Sequence, residues 1–125
     1  MHVAVVGAGA FGGWTALSLV RRGARVTVLD AWGPGNSRAS SGGETRVIRA
    51  GYGNRHLYIP MVARALGLWR ENQERWGTRV LEQTGVLWIF SGDDGYLADA
   101  IPVMRENGFE VQPLEPAEAG RRYTH

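Results

Sequence analysis

A glycine-rich stretch near the N-terminus constrains the fold of this chain more than any other feature. Residues 3–6 are small and apolar, and they lead directly into a G-x-G-x-x-G pattern whose glycines are Gly7, Gly9 and Gly12. Because the apolar run shows no alternation, it predicts a short parallel strand buried on both faces, and residues 10–22 predict the helix that follows. At such a turn the first glycine permits the sharp bend, the second lets a pyrophosphate approach the backbone, and the third lets helix and strand pack closely.

An acidic residue follows at the spacing that a dinucleotide site requires. A second apolar strand is predicted over residues 25–29 and ends at Asp30. This acid follows Gly7 at about the 20-residue spacing of a ribose-binding carboxylate. Its oxygens can accept hydrogen bonds from ribose hydroxyls, and its charge repels the 2′-phosphate of NADP. The alternative is a β–α–β unit with a chance glycine turn and an ordinary acid at a strand end.

Composition argues against several other classes of function. All 14 basic residues are arginines, they are scattered, and the formal net charge is +2, so no nucleic-acid-binding surface is predicted. The chain has no cysteine and its three histidines are far apart, so no metal site is predicted. Glycines interrupt the N-terminal apolar run, which predicts neither a signal peptide nor a membrane span and favours a cytoplasmic protein.

The region after the acid predicts a functional loop. Residues 31–44 are rich in Gly, Ser, Pro and Asn and predict a long loop that begins directly after Asp30. The next segment, residues 45–53, carries Arg46 and Arg49. If this segment is helical, the two guanidinium groups share a face and the two apolar residues between them turn to the core. The alternative is a pair of solvated surface arginines.

The rest of the chain predicts mainly helices. Hydrophobic spacing predicts a helix over residues 58–76, with its tryptophans in a protein core rather than on a cofactor. The other predicted elements are a strand at 86–90, a turn at 91–95, a helix at 97–107, a brief strand at 109–112 and a short helical piece at 113–122. Two parallel strands with one crossover helix leave much apolar surface uncovered. We therefore expect the chain to be the N-terminal part of a longer protein or to depend on a partner.

Four strings of residues give the sequence a family resemblance. They are VVGAGAFG, VTVLDAWGP, SSGGETRVIRAGYG and TGVLW. On these strings the chain resembles the FAD-dependent amino acid oxidase superfamily, and most closely its sarcosine oxidase-like branch, which includes N-methyltryptophan oxidases. The third string makes the match specific, because the nucleotide motif is common to many families.

The resemblance implies an α/β fold: the N-terminal part of a Rossmann-like FAD-binding domain, followed by the start of an interleaved α+β substrate domain. Residues 1–50 would form the FAD-binding β–α–β unit and flavin loop. Residues 51–125 would form a helix-rich continuation that includes the first strand of the substrate domain, at 84–90. The whole enzyme would be about three times as long as this chain. It would transfer a hydride from the carbon beside the nitrogen of an amino-acid-like amine to flavin N5, and oxygen or another acceptor would reoxidise the flavin.

The resemblance also implies roles for particular residues. Arg46 would lie against the flavin ring, and Arg49 would pair with the substrate carboxylate, which a guanidinium binds bidentately. Sarcosine oxidase has a histidine where this chain has Gly42, so a more open substrate pocket is expected. The covalent cysteine and oxygen-activating lysine of the family would lie beyond residue 125. The residues expected to bind FAD are Gly7, Ala8, Gly9, Ala10, Phe11, Gly12, Asp30, Ala31, Ser40, Ser41, Gly43, Thr45 and Arg46.

Two other functions stay open on the sequence. A non-catalytic dinucleotide-binding module, or one subunit of a split enzyme, would account for the glycine motif. It would have no need of a carboxylate-binding site in residues 45–49. An NAD-dependent dehydrogenase shares the glycine motif but leaves the same string unexplained.

Overall fold

The computed structural model of the chain describes residues 1–92 and 94–123. The chain divides into two compact units, Met1–Val47 and Ile48–His125, and each is described by itself below. Among the described helices, none is long and apolar enough to cross a membrane. No group of three or more acidic or histidine side chains in the described part of the chain could hold a metal ion.

The first unit is a β–α–β unit. Strand β1 (His2–Val6) leads to helix α1 (Ala10–Arg21) and then to strand β2 (Arg25–Leu29). The two strands pair in parallel, with Val3 opposite Val26. Parallel neighbours need a crossover connection, which α1 provides. Both predicted strands are confirmed, and so is the helix, which ends at Arg21 rather than at the predicted residue 22.

Only one face of this small sheet is covered, so the prediction that β1 is buried on both faces is wrong for the structure described here. Val5 is 9% exposed, and a Cβ placed on Gly12 of α1 would lie 3.5 Å from its Cγ1. Side chains alternate along a strand, so the neighbouring Val6 points to the opposite face, where it is 83% exposed. Leu29 is 53% exposed on β2. Covering that face takes a further layer of protein.

The chain from residue 30 to residue 57 contains no helix or strand, which confirms the predicted loop at 31–44. The conditional helix in residues 45–53 is not formed, so this prediction is wrong. Val47, expected to turn inward, is 82% exposed, while Ile48 is half-buried. The two arginines of this segment also fall in different units, because the division lies between Val47 and Ile48. No shared helical face therefore relates them.

The second unit is helical in the part that the structure describes. Helix α2 has the predicted bounds, Tyr58–Trp76, because its apolar residues recur at helical spacing and Gly77 follows in a left-handed conformation. Ile59 of α2 is fully buried, and α2 packs against a later helix that begins with the buried Ala100. The later helices are α3 (Gly95–Ala98), α4 (Ala100–Glu106) and α5 (Pro116–Arg122).

Three expectations for the second unit need correction. The predicted helix at 97–107 is divided at Asp99 into α3 and α4. The predicted strands at 86–90 and 109–112 have no strand partner among the described residues and form no sheet there. The assignment of residues 84–90 to a substrate domain stays a prediction. The predicted turn at 91–95 includes Asp93, which lies outside the described residues.

Candidate functional site

The glycine turn between β1 and α1 is closed by contacts that only glycine allows. Gly7 has a φ of +98°, and its N–H donates to the carbonyl of Leu29 at 2.7 Å, which extends the pairing with β2. A Cβ on Gly12 would lie 1.8 Å from the carbonyl oxygen of Gly7, so no side chain fits there. A Cβ on Gly9 would meet no atom within 4 Å. The turn is therefore tight on its inner side and open at the position expected to face a pyrophosphate.

The N-terminus of α1 can accept an anion. Its cap residue, Gly9, makes no side-chain hydrogen bond, and the first turn contains no acidic residue. The first N–H groups of an α-helix have no intrahelical acceptor, and the positive end of the helix dipole lies behind them. Ala10 and Phe11 belong to this turn, and Phe11 is 93% exposed. These are the features by which a helix N-terminus binds phosphate groups.

Asp30 lies beside this turn and is held by backbone groups. Its Oδ2 accepts a hydrogen bond from the N–H of Ala8 at 2.7 Å. Its Oδ1 accepts from the N–H of Trp32 at 2.8 Å and from that of Gly33 at 2.9 Å. The bond from Ala8, followed by that from Trp32, lowers the pKa of the Asp30 carboxyl below its ordinary value. Because a carboxylate oxygen has two lone pairs, Oδ2 keeps one acceptor position for a ribose hydroxyl.

Asn36 makes three further hydrogen bonds within the loop after Asp30. Asn36 donates from Nδ2 to the carbonyl of Gly33 at 2.7 Å. Its Oδ1 accepts from the backbone N–H groups of Arg38 at 3.0 Å and Ala39 at 3.1 Å. Within this loop the guanidinium carbon of Arg38 lies 4.7 Å from the ring centroid of Trp32. Sequence reasoning missed both members of this pair, although Trp32 lies only two positions beyond Asp30, the acid predicted to bind the ribose.

Arg46 is folded back on its own loop. Its guanidinium donates to the backbone carbonyls of Ser41, at 2.8 Å, and Thr45, at 2.6 Å, and also to that of Gly42. A Cβ on Gly43 would lie 2.6 Å from the Nη1 of Arg46, so the glycine leaves the space that the guanidinium fills. The structure thus brings together four of the predicted cofactor residues. The other two predicted loop residues, Ala31 and Ser40, are exposed.

Arg49 lies in the second unit and rests on an aromatic ring. Its guanidinium carbon is 5.5 Å from the ring centroid of Tyr52, which in turn lies 5.3 Å from the ring of Tyr58. The ion pairs found among the described residues are Arg79–Glu82 and Arg122–Glu118, so Arg49 has no carboxylate partner in this part of the chain. An exposed guanidinium of this kind can bind a ligand carboxylate.

Comparison with known proteins identifies the family. The family described as FAD dependent oxidoreductase, abbreviated DAO, matches residues 2–125. The chain belongs to this family. Its predicted family and its predicted cofactor, FAD, are therefore confirmed.

Several curated relatives of this FAD-dependent family are similar over almost the whole chain. Monomeric sarcosine oxidase of Bacillus sp. (strain B-0618) is 32% identical over 123 residues, which are 97% of this chain and 31% of the relative. Monomeric sarcosine oxidase of Bacillus sp. (strain NS-129) is 36% identical over 122 residues, 97% of this chain and 32% of the relative. N-methyl-L-tryptophan oxidase of Citrobacter koseri is 29% identical over 119 residues, 95% of this chain and 32% of the relative. The chain spans about a third of the length of these relatives.

The residues of the first unit fit FAD. The inner side of the glycine turn excludes side chains, its outer side is open, and the first turn of α1 offers backbone N–H groups without a capping side chain. Asp30 lies next to the same turn and retains an acceptor. These are the groups that a pyrophosphate and its neighbouring ribose require.

Proposed function

We propose that this chain is the FAD-binding N-terminal region of an oxidoreductase that acts on the CH–NH bond of an amino acid or N-methyl amino acid. Its first unit would be the start of a Rossmann-like domain. The observation that supports this most directly is the joining of the glycine turn to Asp30 through the N–H of Ala8. When bound, FAD accepts a hydride at N5 from the carbon beside the amine and passes the electrons to oxygen or another acceptor.

The first unit would hold the adenine-nucleotide half of the cofactor. Backbone N–H groups from Gly9 to Gly12 would bind the pyrophosphate, because they stand unpaired at the positive end of α1. Asp30 would accept hydrogen bonds from the ribose hydroxyls. The loop that Arg46 pins to the carbonyls of Ser41 and Thr45 would approach the flavin. In this role Arg46 fixes the shape of the loop and leaves part of its guanidinium for the ring, since that group carries five N–H donors.

Arg49 would bind the carboxylate of the substrate. It is exposed, it rests on Tyr52, and it forms neither of the ion pairs found in the described part of the chain. A guanidinium binds a carboxylate through two parallel hydrogen bonds and keeps its charge when covered. The curated relatives are named for sarcosine and for N-methyl-L-tryptophan, and both molecules carry a carboxylate beside a secondary amine. Gly42 favours a pocket that is more open than that of sarcosine oxidase.

A second candidate is a flavin-binding subunit of a split enzyme, with the catalytic residues on another chain. The exposure of Val6 and Leu29 favours it, because that sheet face needs cover from further polypeptide. The other alternative, an NAD-dependent dehydrogenase, has no support, because the family to which the chain belongs uses FAD. A cytoplasmic location stays a prediction.

Cofactor content tests the proposal directly. The protein, produced at its natural length, should purify yellow, and denaturation should release a flavin with the absorbance of FAD. Oxidation of N-methyl amino acids should bleach this absorbance when oxygen is excluded. A colourless protein that binds NADH and takes up no added FAD would refute the proposal.

A further inference from the structure

An exposed aromatic ring and a cation form a flat pair beside the proposed ribose site. The indole of Trp32 is 63% exposed, and the guanidinium carbon of Arg38 lies 4.7 Å from its ring centroid. An exposed tryptophan of this size is costly to leave in water. Arg38 covers one face of the ring, and the exposed remainder leaves room for a second flat group.

The backbone of the loop fixes both members of this pair. The backbone N–H of Trp32 donates to Oδ1 of Asp30 at 2.8 Å, which fixes the backbone of Trp32 beside the carboxylate. The N–H of Arg38 donates to Oδ1 of Asn36 at 3.0 Å. Asn36 is itself bonded to the carbonyl of Gly33, at 2.7 Å. Local hydrogen bonds of this kind hold a loop in one conformation without a helix or strand.

We propose that Trp32, backed by Arg38, stacks on the adenine ring of FAD and makes this site selective for an adenine dinucleotide. The inference rests on the proposed function, because it takes Asp30 as the ribose ligand. Adenine is bonded to that same ribose, and Trp32 shares a hydrogen bond with the carboxylate that would hold it. Purine bases stack on aromatic rings and on guanidinium planes. The proposed roles of the glycine motif and Asp30, at the pyrophosphate and the ribose, leave the base without a partner, and Trp32 with Arg38 would supply its recognition.

Binding of three ligands to four proteins tests the proposal. FAD and ADP carry adenine, whereas inorganic pyrophosphate probes the glycine turn alone. Calorimetric titrations of the apoprotein at its natural length compare the wild type with Trp32→Leu, Trp32→Phe and Trp76→Leu. The last is a matched control, because Trp76 is also exposed but lies on α2 of the second unit. Trp32→Leu should weaken the affinity for FAD and ADP by about tenfold and change the affinity for pyrophosphate by less than about twofold. Trp32→Phe keeps an aromatic ring, so its affinity for FAD and ADP should stay within about threefold of the wild type. The control Trp76→Leu should bind all three ligands as the wild type does.

The outcomes separate this inference from the function on which it rests. A wild-type protein that takes up no FAD overturns the proposed function. If the wild type binds FAD and Trp32→Leu binds FAD and ADP equally well, the stacking role alone is wrong. If Trp32→Leu weakens pyrophosphate as much as ADP, Trp32 maintains the loop rather than binding the base, and the stacking role is again wrong. Quenching of indole fluorescence by ADP, present in the wild type and reduced in Trp32→Phe, gives an independent reading.

Discussion

The carboxylate of Asp30 is hydrogen-bonded to the backbone of Ala8, with Oδ2 and the amide nitrogen 2.7 Å apart. This bond joins the end of β2 to the glycine turn that follows β1. The other oxygen of Asp30 accepts the N–H groups of Trp32 and Gly33. One side chain therefore bonds both to the turn expected to bind the pyrophosphate and to the start of the loop that follows Asp30.

Replacing this acid should weaken cofactor binding in two ways. Asp30→Ala removes the acceptor for the ribose hydroxyls and leaves the N–H of Ala8 without its partner. Since hydrogen bonds to a charged group are stronger than neutral ones, we expect FAD affinity to fall by about tenfold or more. Asp30→Asn keeps one oxygen acceptor, so its FAD affinity should fall by less. Titration of each apoprotein with FAD, followed by flavin fluorescence, measures both effects; equal affinity in the wild type and Asp30→Ala would reject the role.

The same bonds predict how this site responds to acid. They lower the pKa of Asp30 below its ordinary value of 3.8, chiefly through the N–H of Ala8. A carboxyl whose pKa is lowered by folding stabilises the folded state above its unfolded pKa, and this contribution is lost as the pH falls through the folded pKa. We therefore expect the Ala8 amide to be protected from hydrogen exchange, relative to its intrinsic rate at each pH, at pH 5, and this protection to be lost only below the ordinary pKa of the carboxyl. Asp30→Asn should abolish this dependence, and its persistence in that variant would assign it to another group.

Gly12 should tolerate no side chain. A Cβ there would lie 1.8 Å from the carbonyl oxygen of Gly7, a backbone atom in the turn itself. We expect Gly12→Ala to destabilise the protein by about 1–3 kcal/mol and to reduce FAD uptake, because the helix must move away from the strand. Gly13→Ala is the matched control, since its Cβ meets no atom within 4 Å. It should be neutral or stabilising by about 0.5–1 kcal/mol. Equal FAD content in Gly12→Ala and Gly13→Ala would contradict the close packing of Gly12 against the carbonyl of Gly7.

The elements that the sequence predicted correctly are those determined by interactions between residues close together in the chain. Helix α2 has its predicted bounds because its apolar spacing and the following Gly77 act within the helix. The β–α–β unit follows from the glycine turn for the same reason. Residues 86–90 have the composition of a strand but do not form one among the described residues, because a strand needs a partner and local composition does not supply it.

Side-chain contacts inside loops account for the remaining differences. Residues 45–49 are not helical, and Arg46 there binds the carbonyls of Ser41 and Thr45 rather than extending from a helical turn. The pairing of Trp32 with Arg38 depends on hydrogen bonds made by Asn36, which no periodicity reveals. Composition predicted that a loop would be present, but not which side chains it would bring together.

Residues 1–125 on their own should not unfold as a cooperative domain. The buried apolar residues among those described are Val5, Ile59 and Ala100. We expect a broad thermal transition or aggregation in calorimetry. A sharp transition together with well-dispersed amide NMR signals would contradict this expectation.

The last prediction concerns the substrate carboxylate. Arg49 rests on Tyr52 at 5.5 Å, so its guanidinium is held near one position before any ligand arrives. Its loss should remove one charge-assisted pair with the substrate, which is worth about 1.5–3 kcal/mol. In the holoenzyme at its natural length, Arg49→Gln should therefore raise KM for an N-methyl amino acid by about tenfold or more. FAD content should stay normal, because Arg49 belongs to the second unit and not to the glycine turn.

A matched arginine and a matched substrate make this result specific. Arg55 is also exposed, lies in the same irregular part of the chain and donates its backbone N–H to the carbonyl of Tyr52 at 3.0 Å, so Arg55→Gln removes an arginine charge of the same kind close by in the sequence. It should leave KM unchanged if Arg49 alone contacts the carboxylate. An amine without a carboxylate should be oxidised equally well by the wild type and by Arg49→Gln. If KM rises equally for both substrates, or if Arg55→Gln raises KM as much as Arg49→Gln does, the effect comes from general charge or structure. The assignment of Arg49 to the carboxylate is then wrong.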